Sequence, residues 1–266
     1  MQVIPVQAVQ RGFGQTSRRD AWWAAPLGVF LGLSSFVAYT TWAMFQGQHY
    51  EFGPYLSPLY APVLWGDSPH AWFSDSRPPF WPGFIPFSPA LLILPFPGGF
   101  RFTCYYYRGA YYKAFWADPP SCAVGEPRTK YLGENSLPLI LQNVHRYFFY
   151  VAVLFIAMLS WDVWKAVWFV DNGVEHFGIG VGTLVLAVNV VLLAGYTFGC
   201  HAARHLVGGF KDEVSKSPVC DVAYSCTSSL NYKHQLFAWC SLFSVGFADV
   251  YVRLCAMGIW TDLRIL

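Results

Sequence analysis

Charged residues are scarce in this chain. Asp, Glu, Lys and Arg together make up 12% of the 266 residues, whereas a soluble domain carries about 25%. Hydrophobic residues reach 55% and aromatic residues 19%. This composition excludes an ordinary soluble enzyme and predicts an integral membrane protein.

The sequence also shows no pattern typical of a signal peptide or of a disulfide framework. The first twenty residues, MQVIPVQAVQRGFGQTSRRD, contain no apolar core of the kind that signal peptides need. The first apolar run begins at Ala21 and is long enough to span a bilayer, so we expect it to be a retained anchor. The seven cysteines are an odd set, unlike a secreted disulfide framework. Four of them lie in or beside apolar runs: Cys104, Cys200, Cys240 and Cys255.

Five segments are long and apolar enough to cross a membrane, which takes about 20 residues per helix. They cover about residues 21–45, 84–107, 137–161, 177–206 and 232–257. The predicted fold class is therefore all-α, a bundle of five transmembrane helices that forms a single membrane-anchor domain over residues 1–266. The second segment is irregular, because its prolines and its Gly98–Gly99 pair predict kinks.

The distribution of Lys and Arg predicts the orientation. Of the 17 such residues, four fall on the side that is outside when the N-terminus is inside: Arg77, Lys165, Arg253 and Arg264. The positive-inside rule thus places the N-terminus in the cytoplasm and the C-terminus outside the plasma membrane. The outer loop, residues 46–83, is rich in proline and aromatic residues. We expect a stiff loop on the helix ends at headgroup depth, with a cap over a lipid-soluble substrate as the alternative.

This topology gathers cysteines and histidines at the cytoplasmic end of the bundle. They are Cys104, Cys122, His145, Cys200, His201, His205 and His234. One such residue near a helix end is ordinarily an interfacial or packing residue. Several together favour a functional site, because ionisable groups at membrane depth are costly and usually functional.

Three kinds of metal centre suit these ligand types. Haem b needs two histidines from facing helices, and His145 with His201 or His205 would serve. A Cys₂His₂ zinc site lacks the usual C-x₂₋₄-C spacing. A Rieske-type [2Fe–2S] cluster needs two Cys and two His, and Cys104, Cys122, His201 and His205 meet that count. Spacing alone favours haem, because the two short Cys–His boxes of common Rieske proteins are absent.

A quinone site is a further prediction for the same end of the bundle. The run CYYYRGAYYKAFW, residues 104–116, is typical of an interfacial aromatic belt, but phenols and cations beside an apolar channel also suit a quinone head group. The quinone-binding candidates are Tyr107, Tyr111, Arg146 and His234. At the other end, Asp249 and Arg253 are four residues apart on one helix, which predicts an internal ion pair; a proton path is the alternative.

Long runs of the chain resemble a known family. FRFTCYYYRGAYYKAFWADPPSCAV, PLILQNVHRYFFY, CHAARHLVGG and NYKHQLFAW are similar to the membrane-anchor subunit of the mycobacterial succinate dehydrogenase 1 type, a class of complex II with one large anchor. HYEFGPYLSPLYAP and GIWTDLRIL also resemble that family, so the likeness extends over most of the chain from about Arg19 onward. It implies five spans in the lipid bilayer beneath a flavoprotein subunit and an iron–sulfur subunit.

The resemblance also implies a Rieske-type [2Fe–2S] cluster and a quinone site, which reverses the preference for haem. The implied cysteine ligands are Cys104 and Cys122. Helix geometry favours His201 and His205 as the two histidine ligands, with His145 and His234 as alternates.

The implied function is to relay electrons through the cluster to quinone in the respiratory chain, while the flavoprotein oxidises succinate. A haem b anchor and a proton-coupled transporter are the alternatives. We expect no nucleic-acid partner, and a higher oligomer of the complex is compatible with this assignment.

Overall fold

The computed structural model describes residues 12–74, 77–128, 137, 139–209 and 211–266, and these are mostly helical. The elements in chain order are α1 (Ala24–Gln46), β1 (Glu51–Phe52), β2 (Tyr55–Leu56), α2 (Pro89–Ile93), α3 (Pro95–Thr103), α4 (Tyr105–Tyr111), α5 (His145–Lys165), β3 (Trp168–Asp171), β4 (Val174–Phe177), α6 (Val181–Phe198), α7 (His201–Gly208), α8 (Pro218–Tyr232) and α9 (His234–Ala256). A π-helical turn follows α4 at Tyr112–Trp116, and 3₁₀ turns occupy Leu139–Val144 and Val214–Lys216. The all-α prediction therefore needs a correction, because β1–β2 and β3–β4 form two short antiparallel hairpins.

Four helices in the described part of the chain are long and apolar enough to cross a membrane. They are Ala24–Gln46, Ile140–Lys165, Val181–Phe198 and His234–Ala256. The prediction of five spans is not confirmed, because the second predicted span forms the three short helices α2, α3 and α4. Pro89 and Pro95 each open one of these helices, since proline has no backbone N–H to continue a preceding helix. Cys104 is extended between α3 and α4.

The other predicted spans differ from the helices mainly at their ends. The third predicted span begins at residue 137, and its next residue, 138, lies outside the described residues. The regular α-helix of this span begins only at His145. The fourth is shorter than predicted, because β4 ends at Phe177 and α6 stops at Phe198. Arg11 and Lys130, which contribute to the predicted orientation, also lie outside the described residues.

The chain divides into two compact parts, residues 1–35 with 103–143, and residues 36–102 with 144–266. In the first part, the N-terminal segment pairs with the loop after the π-helical turn. The N–H of Gly14 donates to the carbonyl of Gly125 over 2.9 Å. Arg18 donates to Ser121 Oγ over 2.9 Å and to the carbonyl of Cys122 over 3.0 Å. These bonds hold the Cys122 loop against the N-terminal segment.

In the second part, α6 packs against α9 and α5. We call the end where α5 and α9 begin the histidine end, and the end where α5 stops at Lys165 the hairpin end. The first half of the predicted outer loop is core at the hairpin end: Tyr55 and Tyr60 are fully buried, and the Tyr50 and Tyr60 rings stack with centroids 4.3 Å apart. The loop therefore packs on the helix ends, as its composition predicts.

A carboxylate network holds the hairpin end together. The hydroxyl of Tyr55 donates to Asp262 over 2.8 Å, and the same carboxylate accepts from the hydroxyl of Tyr251 over 2.6 Å and from the N–H of Gly182 over 2.9 Å. A Cβ at Gly182 would lie 2.5 Å from the Tyr55 ring. This close approach explains why a glycine stands there.

A buried ion pair links α1 and the loop to α9. Asp249 is fully buried and Arg253 is 4% exposed, and Arg253 Nε lies 3.2 Å from Asp249 Oδ2. The carboxylate also accepts hydrogen bonds from Tyr39 of α1 and Ser57 of the loop. Arg253 donates to the carbonyl of Gln48 over 2.9 Å. The predicted ion pair is confirmed, and its saturated carboxylate favours a structural role over a proton path.

Candidate functional site

Three helices begin with a histidine at the histidine end: α5 with His145, α7 with His201 and α9 with His234. His205 follows His201 by one turn of α7, and both side chains are exposed. Their ring centroids are 5.6 Å apart with an interplanar angle of 74°. The spacing thus places both imidazoles on one helix face, as predicted, although on the separate helix α7 rather than at the end of α6.

The break between α6 and α7 comes from a tertiary contact. Cys200 is buried at the N-cap of α7 with an extended backbone, ψ 159°. A Cβ on Gly199 would lie 3.0 Å from the carbonyl oxygen of Leu230 in α8. Asn231 of α8 donates from Nδ2 to the carbonyl of Gly199 over 2.8 Å. The close approach of α8 therefore ends α6 and starts α7 in a new direction.

A stack of rings connects His145 to His234. His145 stacks on Phe100 with centroids 4.7 Å apart and planes 5° apart, and His234 stacks on Tyr196 at 4.9 Å and 16°. Phe100 and Tyr196 meet edge to face at 5.4 Å. The two histidines also lie within electrostatic reach of each other. His145 also lies within electrostatic reach of His201.

Arg101 of α3 lies over the Tyr196 ring, with its Cζ 4.6 Å from the ring centroid. Its Nη1 donates to the carbonyl of Ala238 over 3.2 Å, and its Nη2 donates to Ser241 Oγ over 2.9 Å. Ser241 is fully buried on α9. The guanidinium is thus fixed between α6 and α9.

A cavity of about 210 Å³ borders this cluster in the second part of the chain. Its walls are mostly apolar, with Met44, Leu59, Phe155, Ile156, Leu193 and Val245 among them. Arg101, Thr40 and Thr197 are polar residues of its lining, and Tyr196 contributes its ring, because the Tyr196 hydroxyl is fully buried. An apolar cavity of roughly 150 Å³ is enough to bind benzene. This cavity therefore has room for one substituted six-membered ring.

The predicted cysteine ligands and the two predicted tyrosines lie in the first part of the chain. Cys104 is 2% exposed at the N-cap of α4, and Cys122 is exposed in its loop. Tyr107 is buried. The hydroxyl of Tyr111 accepts a hydrogen bond from Gln142 over 3.4 Å, and burial raises the pKa of Tyr111 to about 12. Tyr111 is therefore a neutral phenol at physiological pH.

Within either part, the described residues contain no group of three or more His, Cys, Asp or Glu side chains placed to hold one metal ion. The structure does bring His201 to His205 and His145 to the neighbourhood of His201. The predicted cysteine ligands belong to the other part of the chain, so the four-ligand site stays a prediction. Arg146, predicted to bind quinone, is exposed at the start of α5.

Sequence patterns do not reveal the roles of Phe100, Arg101 and Tyr196. Arg101 counts in the sequence only as one of the cations that orient the chain, and the two aromatic residues look like ordinary parts of apolar runs. The available signal is PFPGGF, residues 95–100, whose prolines and glycines break the predicted span just before Arg101. The partners of Arg101 on α6 and α9 are far away in sequence.

Comparisons with known proteins give a family and a solved structure. Residues 24–258 match the model of the family described as actinobacterial succinate dehydrogenase subunit SdhC. A chain of the Mycobacterium smegmatis Sdh1 complex in the apo form is 42% identical, with a TM-score of 0.86. The match covers 99% of this chain and 98% of that chain. A search of curated proteins gave no match.

Proposed function

This chain belongs to the actinobacterial succinate dehydrogenase SdhC family, and on that basis we propose that it relays electrons from the iron–sulfur subunit of the complex to a quinone. The resemblance inferred from the sequence is thereby confirmed. The chain is a multi-pass membrane-anchor subunit of succinate dehydrogenase, an oxidoreductase that contains other subunits. In the proposal, those subunits are a flavoprotein that oxidises succinate and an iron–sulfur protein that docks at the histidine end, facing the cytoplasm.

The cavity beside Arg101 and Tyr196 is the observation that supports the quinone end of this relay. It combines apolar walls with the cationic side chain of Arg101 on one side, which suits a flat ring that carries carbonyl oxygens. Pockets that enclose a whole drug-sized ligand measure about 300–1,000 Å³. A volume of about 210 Å³ therefore suits the quinone head, with the isoprenoid tail outside in the lipid.

The four predicted quinone-binding residues lie in different places in the structure. His234 stacks on Tyr196 and so supports a cavity wall. Arg146 is exposed, and Tyr107 and Tyr111 lie in the other part of the chain. We therefore propose Arg101 as the residue that meets the quinone head, with the Tyr196 ring and His234 behind it.

The electron-transfer centre of the proposal is a Rieske-type [2Fe–2S] cluster. His201 and His205 would hold one iron, because their rings lie on one exposed helix face 5.6 Å apart. Cys104 and Cys122 would hold the other iron as thiolates. When bound, such a cluster supplies a one-electron carrier whose histidine ligands raise its potential above that of an all-cysteine cluster.

Residues of α8 hold the histidine-bearing helix in place. Arg204 of α7 donates from Nε and Nη2 to the hydroxyl of Tyr224 over 3.1 and 2.9 Å. The bond from Asn231 to Gly199 fixes the start of α7. Together these contacts set the direction in which His201 and His205 point, as outer contacts commonly do for metal ligands.

Electron paramagnetic resonance, optical spectra and iron content of the purified complex test this proposal. We expect a Rieske-like reduced signal that is lost in His201→Ala and in His205→Ala, while electron transfer from succinate to an artificial dye persists. His176→Ala is the matched control, because His176 is exposed on β4 at the hairpin end. A haem Soret band without the reduced signal would contradict the cluster, and retention of the cluster in both variants would contradict the histidine ligands.

A further inference from the structure

Arg101 is a permanent cation on the wall of a mostly apolar cavity. We propose that its guanidinium stabilises the negative charge that develops on a quinone carbonyl oxygen during reduction, and that Ser241 positions it. This inference deepens the proposed function and rests on the quinone head occupying the cavity.

The position of Arg101 follows from the broken helix that carries it. Pro95 begins α3 as a new short helix after α2, and Phe100 of α3 is buried against His145 and Tyr196. The next residue, Arg101, is thereby directed to α6 and α9.

Hydrogen bonds to α9 fix the guanidinium before any substrate arrives. Nη1 donates to the carbonyl of Ala238 and Nη2 donates to Ser241 Oγ, while the Tyr196 ring lies against Cζ. The hydroxyl of Ser241 in turn donates to the carbonyl of Ala238 over 3.3 Å. A cation held in this way need not reorganise when charge develops nearby, which is the basis of strong electrostatic catalysis.

The reaction gives this cation a role. A quinone takes up two electrons and two protons to become a quinol. Succinate oxidation in the complex supplies the electrons, and water supplies the protons. Electrons that arrive before protons leave negative charge on a carbonyl oxygen. A guanidinium keeps its charge throughout, and its attraction for that oxygen is strong because the cavity walls are apolar.

Kinetics of the intact complex test the role of Arg101. Two activities are compared, namely succinate-driven reduction of a short-chain quinone and succinate-driven reduction of an artificial dye that accepts electrons upstream. We expect Arg101→Gln to lower kcat for quinone by about 10²–10³-fold, as removal of an oxyanion-stabilising donor does. KM for quinone changes little, because the lost interaction forms in the transition state. Arg101→Lys retains part of the rate, and Arg77→Gln, at an exposed arginine, behaves as wild type.

Substitutions at Ser241 separate positioning from general disruption. Ser241→Ala removes one of the hydrogen bonds that fix the guanidinium, and we expect a fall in kcat of about tenfold, close to the loss of one ordinary hydrogen bond. Ser241→Thr keeps the hydroxyl and restores most of the rate. If Arg101→Gln does not assemble, Arg101→Lys and this pair of variants decide the question.

Two results would overturn the inference. One is a wild-type kcat for quinone in Arg101→Gln. The other is a parallel loss of quinone and dye reduction in Arg101→Lys and Ser241→Ala, which indicates a structural role. A wild-type complex that reduces the dye but no quinone refutes the proposed function itself, and the inference with it.

Discussion

The buried ion pair of α9 provides a stringent test of what holds the second part of the chain together. Asp249→Asn removes the negative charge and leaves the Arg253 guanidinium, whose side chain is 5% exposed, without its counter-charge. Breaking a buried pair in this way costs about 3–5 kcal/mol in free energy of unfolding. For a chain of this size, about 1 kcal/mol shifts the midpoint of thermal unfolding by about 2–4 °C. We therefore expect the midpoint to fall by about 6–20 °C.

Thermal unfolding of the purified complex in detergent, followed by tryptophan fluorescence, measures this effect. Glu213→Gln is the matched control, since it removes a carboxylate from the exposed pair with Lys216. An exposed pair contributes about 0–1 kcal/mol, so the control midpoint moves by at most about 4 °C.

The double variant Asp249→Leu with Arg253→Met removes both charges together. We expect it to be less destabilised than either single variant, because no uncompensated charge remains buried. The reasoning is refuted if Asp249→Asn unfolds within 2 °C of wild type, or if the double variant loses the sum of the two single effects.

Three further predictions concern other regions. Gly182→Ala brings a methyl group to 2.5 Å from the buried Tyr55 ring, and we expect a loss of about 1–3 kcal/mol in free energy of unfolding by thermal denaturation, whereas Gly28→Ala, where a Cβ meets nothing within 4 Å, is neutral. Burial, and next the charge of Lys165, lower the pKa of His70 below its usual 6.5, against weaker opposing effects of Glu51 and Asp162. Below about pH 6.5, His70 therefore binds a proton in the unfolded chain more readily than in the folded chain. The unfolding temperature should fall on acidification, and His70→Gln should remove this part of the pH dependence. Lys211 donates a hydrogen bond to Cys220 Sγ over 2.8 Å and lowers the pKa of that thiol. Lys211→Gln should therefore slow iodoacetamide alkylation of Cys220, measured by mass spectrometry, and leave the rate at Cys226 unchanged.

Hydrophobic run length predicts the helices well where nothing interrupts the run. The first and last predicted spans agree with α1 and α9 within three residues at each end. The second predicted span has the right composition, but its prolines prevent one continuous helix. The sequence shows these breakers, whereas composition over a window of 20 residues averages them out.

The boundary between α6 and α7 is harder to predict, because its cause is distant in sequence. Gly199 looks like a tolerable glycine in an apolar helix, and only the approach of Leu230 and Asn231 turns it into a break. The prediction that His201 and His205 share one helix face remains correct, because both residues belong to α7.

The candidate quinone cavity was beyond reach of sequence patterns for a similar reason. Tyr196 and Arg101 acquire their roles from each other and from Ser241, across three separate helices. Local periodicity carries no information on such contacts. The predicted quinone-binding role of His234 stays a prediction; it comes from a residue whose polarity is already unusual at membrane depth.

The break at Gly199 uncouples the orientation of the two histidines of α7 from the tilt of α6 in the lipid bilayer. A membrane that is thicker or thinner than the apolar length of α6 makes that helix tilt. In an unbroken helix, a tilt would swing His201 and His205 by the same angle. Here α7 is a separate helix, attached to α8 through Arg204 and Tyr224 and through Asn231 at its start. Changes in lipid composition can therefore alter the inclination of α6 while the two imidazoles keep their orientation relative to α8.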